Sequence, residues 1–352
     1  MNTESKDFLR QLVEAPSPSG YEHNVQKLVR ARLEPWCESV RTDVMGNVFG
    51  IRNPEGRPRI MLAGHCDQIG FIVNYITDCG FLHVDPIGGV DPVVATSQRV
   101  SIMTRHGLVP GVVGRKAIHL MDEEDRKKVP KMHDLYVDLG VSTKEEALEL
   151  VAYGDAGVFV QPYVELARDR AVSMAFDNKM GTWIVTEVLR LLHGAELEAC
   201  VVGVSTVQEE IGLRGAVTSA FSSEADVGIA LDVGHATDSP GIEKKKVGDF
   251  KIGGGPIVAR GANINPRVFE LIMATAETEG IVVQVGSAAR GTGTDANVMQ
   301  LSRGGMATAL LSVPLRYMHT PNELLALEDL ENTARLLAAV CTRVKQGHDF
   351  TP

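Results

Sequence analysis

The run Ala199-Cys200-Val201-Val202-Gly203-Val204-Ser205-Thr206-Val207 is almost wholly apolar, rich in β-branched residues, and is followed by Gln208-Glu209-Glu210-Ile211-Gly212. A continuous apolar run, rather than an alternating one, reads as a strand buried on both faces, the kind found inside a parallel sheet covered by helices. Acidic residues directly past such a strand fall at the sheet edge where open α/β folds bind ligands. Alone, Glu209 and Glu210 also fit two solvated loop acids. Close to a core, however, adjacent negative charges call for a cation.

The rest of the chain agrees with an α/β reading. Apolar residues at helical spacing predict helices over 5–14, ended by Pro16-Ser17-Pro18-Ser19-Gly20, and 22–33, ended by Pro35. Strands are expected at 47–51 and 59–64, the second stopping at His65-Cys66-Asp67. Between 70 and 165 the texture changes to short β-like runs broken by Gly and Pro, which reads as a small β-barrel or sandwich inserted into the first domain. Beyond it come a helix over 178–192, strands at 199–207, 227–231, 281–285 and 307–313, and helices near 266–279 and 329–345. The expected architecture is therefore a mixed, largely parallel sheet flanked by helices, formed by residues 1–69 and 166–352, with 70–165 as a β-rich insert.

Bulk properties exclude several functions. The chain has 352 residues, 44% hydrophobic and 23% charged, with a formal net charge of −10. An acidic chain without a basic stripe is a poor partner for nucleic acid or an anionic membrane surface. No apolar stretch approaches the roughly 20 residues of a membrane span, and the first residues lack the features of a signal peptide, so a cytoplasmic protein is expected. Five cysteines without a Cys-x-x-Cys pair indicate neither a disulfide framework nor a structural zinc knuckle. Small molecules or peptides remain as partners.

Acidic and histidine residues recur at the ends of separate predicted strands. His65 follows 60–64, Glu209 and Glu210 follow 199–207, Asp232 follows 227–231, and His319 lies just beyond 307–313. Asp177 joins them at the start of the 178–192 helix, where an N-cap aspartate is common. If the strands are parallel, these ends share one edge and supply the donors of a site for two divalent ions about 3.5–4 Å apart. Two ions bring four positive charges. Asp177, Glu210 and Asp232 as ligands and Glu209 as an ionised base balance them, while His65 and His319 bind neutral. Asp177 is the expected bridge. Asp67 is expected to orient the His65 ring. Oxygen and nitrogen donors without thiolate suit zinc, cobalt or manganese better than copper or calcium, and Cys66 reads as packed.

The segments Ala63-Gly64-His65-Cys66-Asp67-Gln68-Ile69-Gly70, Ala175-Phe176-Asp177-Asn178-Lys179-Met180-Gly181, Val207-Gln208-Glu209-Glu210-Ile211-Gly212-Leu213-Arg214-Gly215-Ala216, Ala230-Leu231-Asp232-Val233 and Arg316-Tyr317-Met318-His319-Thr320-Pro321 occur in this order. Together they resemble the tetrahedral, glutamyl or deblocking metallo-aminopeptidases, some of which carry the label cellulase or endoglucanase. The resemblance spans nearly the whole chain, including Pro86-Ile87-Gly88-Gly89-Val90-Asp91-Pro92 in the insert. It implies a bridging Asp177, one site completed by His65 and Asp232, another by Glu210 and His319, Glu209 as general base and Asp67 as supporting acid. It further implies that 70–165 is a dimerisation domain, that the subunits form a hollow dodecamer, and that zinc or cobalt is bound. Cys66 and the Phe176-Asp177-Asn178-Lys179 segment depart from the usual pattern without removing a ligand.

The function expected is release of N-terminal residues from short peptides by a water activated between two metal ions, with Glu209 as base. A related metal amidohydrolase, acting as a carboxypeptidase or an N-acyl-amino-acid deacylase, is the alternative, and a non-enzymatic binding role is a third reading that an intact ligand set disfavours. Gly291-Thr292-Gly293-Thr294-Asp295-Ala296-Asn297 lacks the third glycine of a dinucleotide loop and is read as lining the cleft. His235 is a marginal candidate near Asp232. Lys244-Lys245-Lys246 reads as a solvated face.

Overall fold

The computed structural model describes residues 1–352 and combines helices with largely apolar strands. Three strands precede the insert: β1 (Ser39–Thr42), β2 (Val48–Arg52) and β3 (Arg59–His65). The insert contributes β4 (Gly70–Ile76), β5 (Leu82–Ile87), β6 (Arg99–Thr104), β7 (Gly107–Gly114), β8 (Tyr136–Asp138) and β9 (Ala156–Phe159). After it come β10 (Val164–Leu166), β11 (Arg170–Ser173), β12 (Cys200–Thr206), β13 (Val227–His235), β14 (Ile257–Gly261), β15 (Gln284–Ala288), β16 (Ala307–Leu315) and β17 (Glu323–Ala326). The longer helices are α1 (Thr3–Glu14), α2 (His23–Leu33), α3 (Phe176–Leu191), α4 (Arg214–Ser223), α5 (Pro266–Glu279) and α6 (Leu327–Arg343).

The main sheet has eight strands in the order β1-β2-β12-β3-β13-β16-β14-β15. β12, β3, β13 and β16 run parallel at its centre, while β1, β2 and β14 pair antiparallel, so the sheet is mixed. β12 is buried along its whole length, as its apolar run requires. Side chains alternate between two cores. Ile60, Leu62, Val201, Leu231 and Leu311 pack with Trp183 and Leu189 of α3 on one face, and Met61, Ala63, Val202, Ala230 and Leu310 pack beneath α4 on the other. α3 lies directly on β3: a Cβ added to Gly64 would sit 2.5 Å from the carbonyl carbon of Gly181.

The insert closes into an antiparallel barrel, in the order β4-β5-β8-β7-β6-β9, around its own core of residues such as Phe71, Ile76, Leu82, Ile102 and Val137. Its last strand ends at Phe159. β10 instead joins β11 and β17 in a three-stranded sheet, so the boundary expected at 165/166 falls inside β10. No helix is long and apolar enough to cross a membrane.

Local chemistry explains where the expected elements hold and where they shift. α5 coincides with 266–279 because Asn265 caps the backbone N–H groups of Arg267 and Val268, Pro266 opens the first turn and Gly280 ends the helix in the left-handed region. The strand expected at 281–285 begins only at Gln284, since the Ile281 N–H returns to the Ala276 carbonyl and belongs to the helix ending. β13 runs past the expected 227–231 to His235 because β16 continues the pairing to Leu315.

Candidate metal centre

β3 carries His65 at its last position, and the chain continues through Cys66 to Asp67. Cys66 is fully buried in the larger core and burial pushes its thiol well up, so it packs, as expected. The His65 Nδ1 faces the backbone carbonyl of Asp67 at 3.1 Å, closer than the Asp67 carboxylate at 3.4 Å. That carboxylate has another task. It accepts the N–H groups of Glu209 (3.0 Å) and Glu210 (3.1 Å) and the Ser19 hydroxyl (2.6 Å), fixing the turn that follows β12.

Asp177 does not cap α3, contrary to the sequence expectation. It and Asn178 lie outside helical geometry (Asp177 φ −79°, ψ 104°), and the Asn178 side chain accepts the Gly181 N–H at 3.1 Å in its place. Asn has equal preference for this role. The exchange frees the Asp177 carboxylate for the cleft. Asp232 also departs in detail, sitting within β13 rather than past its end.

These side chains converge. Asp177 Oδ1 is 3.5 Å from His65 Nε2, and Asp177 Oδ2 is 3.3 Å from His319 Nε2. His319 Nε2 is 3.4 Å from Glu210 Oε1, and His65 Nε2 is 3.7 Å from Glu209 Oε2. Donor atoms of His65, Asp177 and Glu210 lie within 4.8 Å of one another, as do those of His65, Glu209 and Asp232. The tightest groupings thus share His65 and cut across the expected division. His319 stays in contact with both Asp177 and Glu210. Its Nδ1 faces the Gly89 carbonyl at 3.2 Å, so a turn of the insert reaches the centre. A carbonyl can only accept, so each imidazole carries a proton on Nδ1 and turns its Nε2 toward Asp177.

The electrostatics ask for positive charge. Burial works to lower His65, but Glu209, Asp177 and Asp67 outweigh it and hold the ring well above its ordinary value. Contacts with Asp177 and Glu210 lift His319 up to about 11. Burial drives Glu209 up to about 8 against the pull of His65, with Asp295, Glu210 and Asp67 adding to the rise. Burial likewise pushes up Glu210 and, most strongly, Asp232. Two like charges about 4 Å apart cost about 4 kcal/mol at an effective dielectric of about 20, so this cluster is tolerable only with protons or cations among the carboxylates. Divalent ions fit: the donors are carboxylate oxygens and imidazole Nε2 atoms that a cation would hold in place of a proton, each imidazole already braced from behind.

Several supports escaped the sequence reading. Glu323, at the start of β17, accepts the N–H groups of Asp177 and His319, both at 2.9 Å, tying two arms of the centre together. Asp295 is buried and accepts the Thr206 hydroxyl at 2.7 Å. An acid placed one residue before an apolar pair, as in Glu323-Leu324-Leu325, was the only available signal for Glu323. The 291–297 loop does line the cleft through Thr292, Gly293 and Thr294, and His235 lies exposed on its wall.

Comparison with known proteins places this geometry in context. A family model described as M42 glutamyl aminopeptidase matches residues 46–336. The lysyl aminopeptidase of Pyrococcus furiosus is 39% identical over 98% of this chain and 99% of its own. A crystal structure of a TET aminopeptidase from the marine sediment archaeon Thaumarchaeota archaeon SCGC AB-539-E09 superimposes with a TM-score of 0.93 at 34% identity, covering 97% of both chains. The TET1 peptidase of Pyrococcus horikoshii, described as assembling into a tetrahedron or a large octahedral shell, gives 0.87 at 31% identity, covering 97% of this chain and 100% of that one.

Proposed function

Because the chain belongs to the family of M42 glutamyl aminopeptidases, we propose that it releases N-terminal residues from short peptides by metal-assisted hydrolysis with Glu209 as general base. The observation that carries this reading is Asp177, whose two carboxylate oxygens face the Nε2 atoms of two different histidines, at 3.5 and 3.3 Å. That arrangement supports Asp177 as a bridge, with His65 and Asp232 holding one ion and Glu210 and His319 the other. Zinc or cobalt suits these donors best, and manganese is compatible. Two such ions, when bound, polarise a scissile carbonyl and acidify a water molecule.

The chain's own residues supply the rest. Glu209 lies 3.7 Å from His65, so its carboxylate, ionised beside bound cations, can take a proton from the attacking water and return it to the departing amine. Asp67 grips the Glu209 and Glu210 backbone and so fixes both side chains with one carboxylate. Relatives are named for lysyl and glutamyl substrates, so the family leaves the preferred side chain open. A closed tetrahedral dodecamer of subunits, paired through the barrel, in a cytoplasmic setting, completes the proposal; the assembly described for the TET1 peptidase supports it.

Glu209→Gln tests the core of the reading. The variant should retain two ions by elemental analysis and lose about 10²–10⁴-fold in turnover of aminoacyl anilides. Turnover close to wild type would overturn Glu209 as the base.

A further inference from the structure

Past Asp232, the sheet face that carries Ala230 and Leu310 emerges from beneath α4 and becomes a wall of the cleft. Strand register decides what this wall presents. Asp232 pairs with Ser312, and Ser312 with Ile257, so all three lie on one face, with Gly234 two positions further along β13. A Cβ on Gly234 would stand 2.9 Å from Ile257 Cδ1 and 3.0 Å from Ser312 Cβ. One on Gly286 of β15 would stand 3.0 Å from Ile257 Cγ2 and 3.3 Å from Phe250 Cζ. The two glycines therefore leave room for the Ile257 and Phe250 side chains, which with Val247 and Met318 give this wall of the cleft an apolar slot.

The charges around the slot are as informative as its shape. The cleft encloses about 670 Å³, and apart from the metal-centre side chains and His235 it is lined by no ionisable residue. Lys244 pairs with Asp249 at 2.8 Å and Lys246 with Glu243 at 2.9 Å, and none of Lys244, Lys245 and Lys246 lines the cleft.

We propose that this slot receives the side chain of the substrate's N-terminal residue and selects uncharged apolar residues of leucine or methionine size over lysine, arginine, glutamate and aspartate. The inference rests on the aminopeptidase reading and adds the substrate class. A charged head group entering the slot gives up its hydration and meets no opposite charge, whereas a branched or linear aliphatic chain covers Ile257 and Phe250 and removes apolar surface from water. Alanine leaves the slot partly unfilled. In such a pocket each missing methylene lowers kcat/KM by about 10–200-fold.

The test is a panel of aminoacyl anilides on the full-length, metal-loaded protein, together with calorimetric binding of the product amino acids. Leucyl and methionyl substrates should exceed lysyl and glutamyl ones by about tenfold or more in kcat/KM, and L-leucine should bind more tightly than L-lysine or L-glutamate. Gly286→Ala, whose methyl group pushes against Ile257 and Phe250 and shifts them into the slot, should reduce leucyl turnover more than alanyl turnover. A lysyl or glutamyl preference, or an unchanged leucyl-to-alanyl ratio in the variant, overturns the slot assignment. Failure of every free-amine substrate alongside cleavage of N-acyl amino acids would overturn the aminopeptidase reading instead, and the calorimetric order would still judge the slot.

Discussion

At the scale of single residues, the centre depends on backbone carbonyls as much as on carboxylates. The Gly89 carbonyl holds His319 from behind, and a Cβ at Gly89 would lie 2.8 Å from His319 Nδ1. Gly89→Ala should tilt that imidazole and weaken one of the two proposed ions by about 10–100-fold, the usual cost of losing a partner behind a ligand. Metal titration by calorimetry reads this directly, and two undisturbed affinities would refute it. The principal acids and histidines were legible in the sequence because charged residues terminating apolar strands are costly without a purpose. Gly89 was not, because a carbonyl leaves no side-chain signature. The supporting roles of Glu323 and Asp295 escaped for a related reason: both are buried by residues distant in sequence.

Among the elements, α3 and β3 meet without side chains between them. Gly64→Ala places a methyl group 2.5 Å from the Gly181 backbone, which no rotamer change relieves. The variant should lose about 1–3 kcal/mol of stability in denaturant unfolding, and it should bind metal less well, because His65 and Asp177 stand on the two displaced elements. Asp329, in the first turn of α6, secures the turn before β14 by accepting the N–H groups of Gly253 (2.7 Å) and Gly255 (2.8 Å). Burial lifts it from its ordinary 3.8 to about 6, so the folded protein keeps a proton there that the unfolded chain has released. Its contribution to stability therefore falls as pH rises from about 4 to 6. Asp329→Asn removes the titration, and its deficit relative to wild type should shrink between pH 4.5 and 7. An equal deficit at both would contradict the shift. Long elements such as β12 and α5 were readable from periodicity and caps. β14 and α4 were not: the first follows a glycine-rich turn, and the second is made largely of Gly, Ala, Ser and Thr, so tertiary packing decides both.

For the whole molecule, the proposed ions are structural partners as well as reactants. They would sit between arms contributed by β3, the β12–α4 turn, β13, α3 and the segment before β17, among carboxylates that otherwise repel. Stripping the protein with a chelator should lower its melting temperature, and readdition of zinc or cobalt should restore it; a site filled to about 100 times its Kd contributes about 2.7 kcal/mol by mass action. Scanning calorimetry decides the point, and an unchanged transition would count against metal at this centre. The α/β frame with its inserted barrel was foreseeable from the change in texture at 70, whereas the strand order of the sheet was not, since pairing between distant strands leaves no local mark.

The separation of His65 and His319 along the chain also carries a temporal meaning. At about 5–20 residues per second, the ribosome releases the first histidine more than ten seconds before the second. No partial chain can own the complete constellation. Peptide-cleaving capacity is thus withheld until translation of the catalytic domain is almost finished.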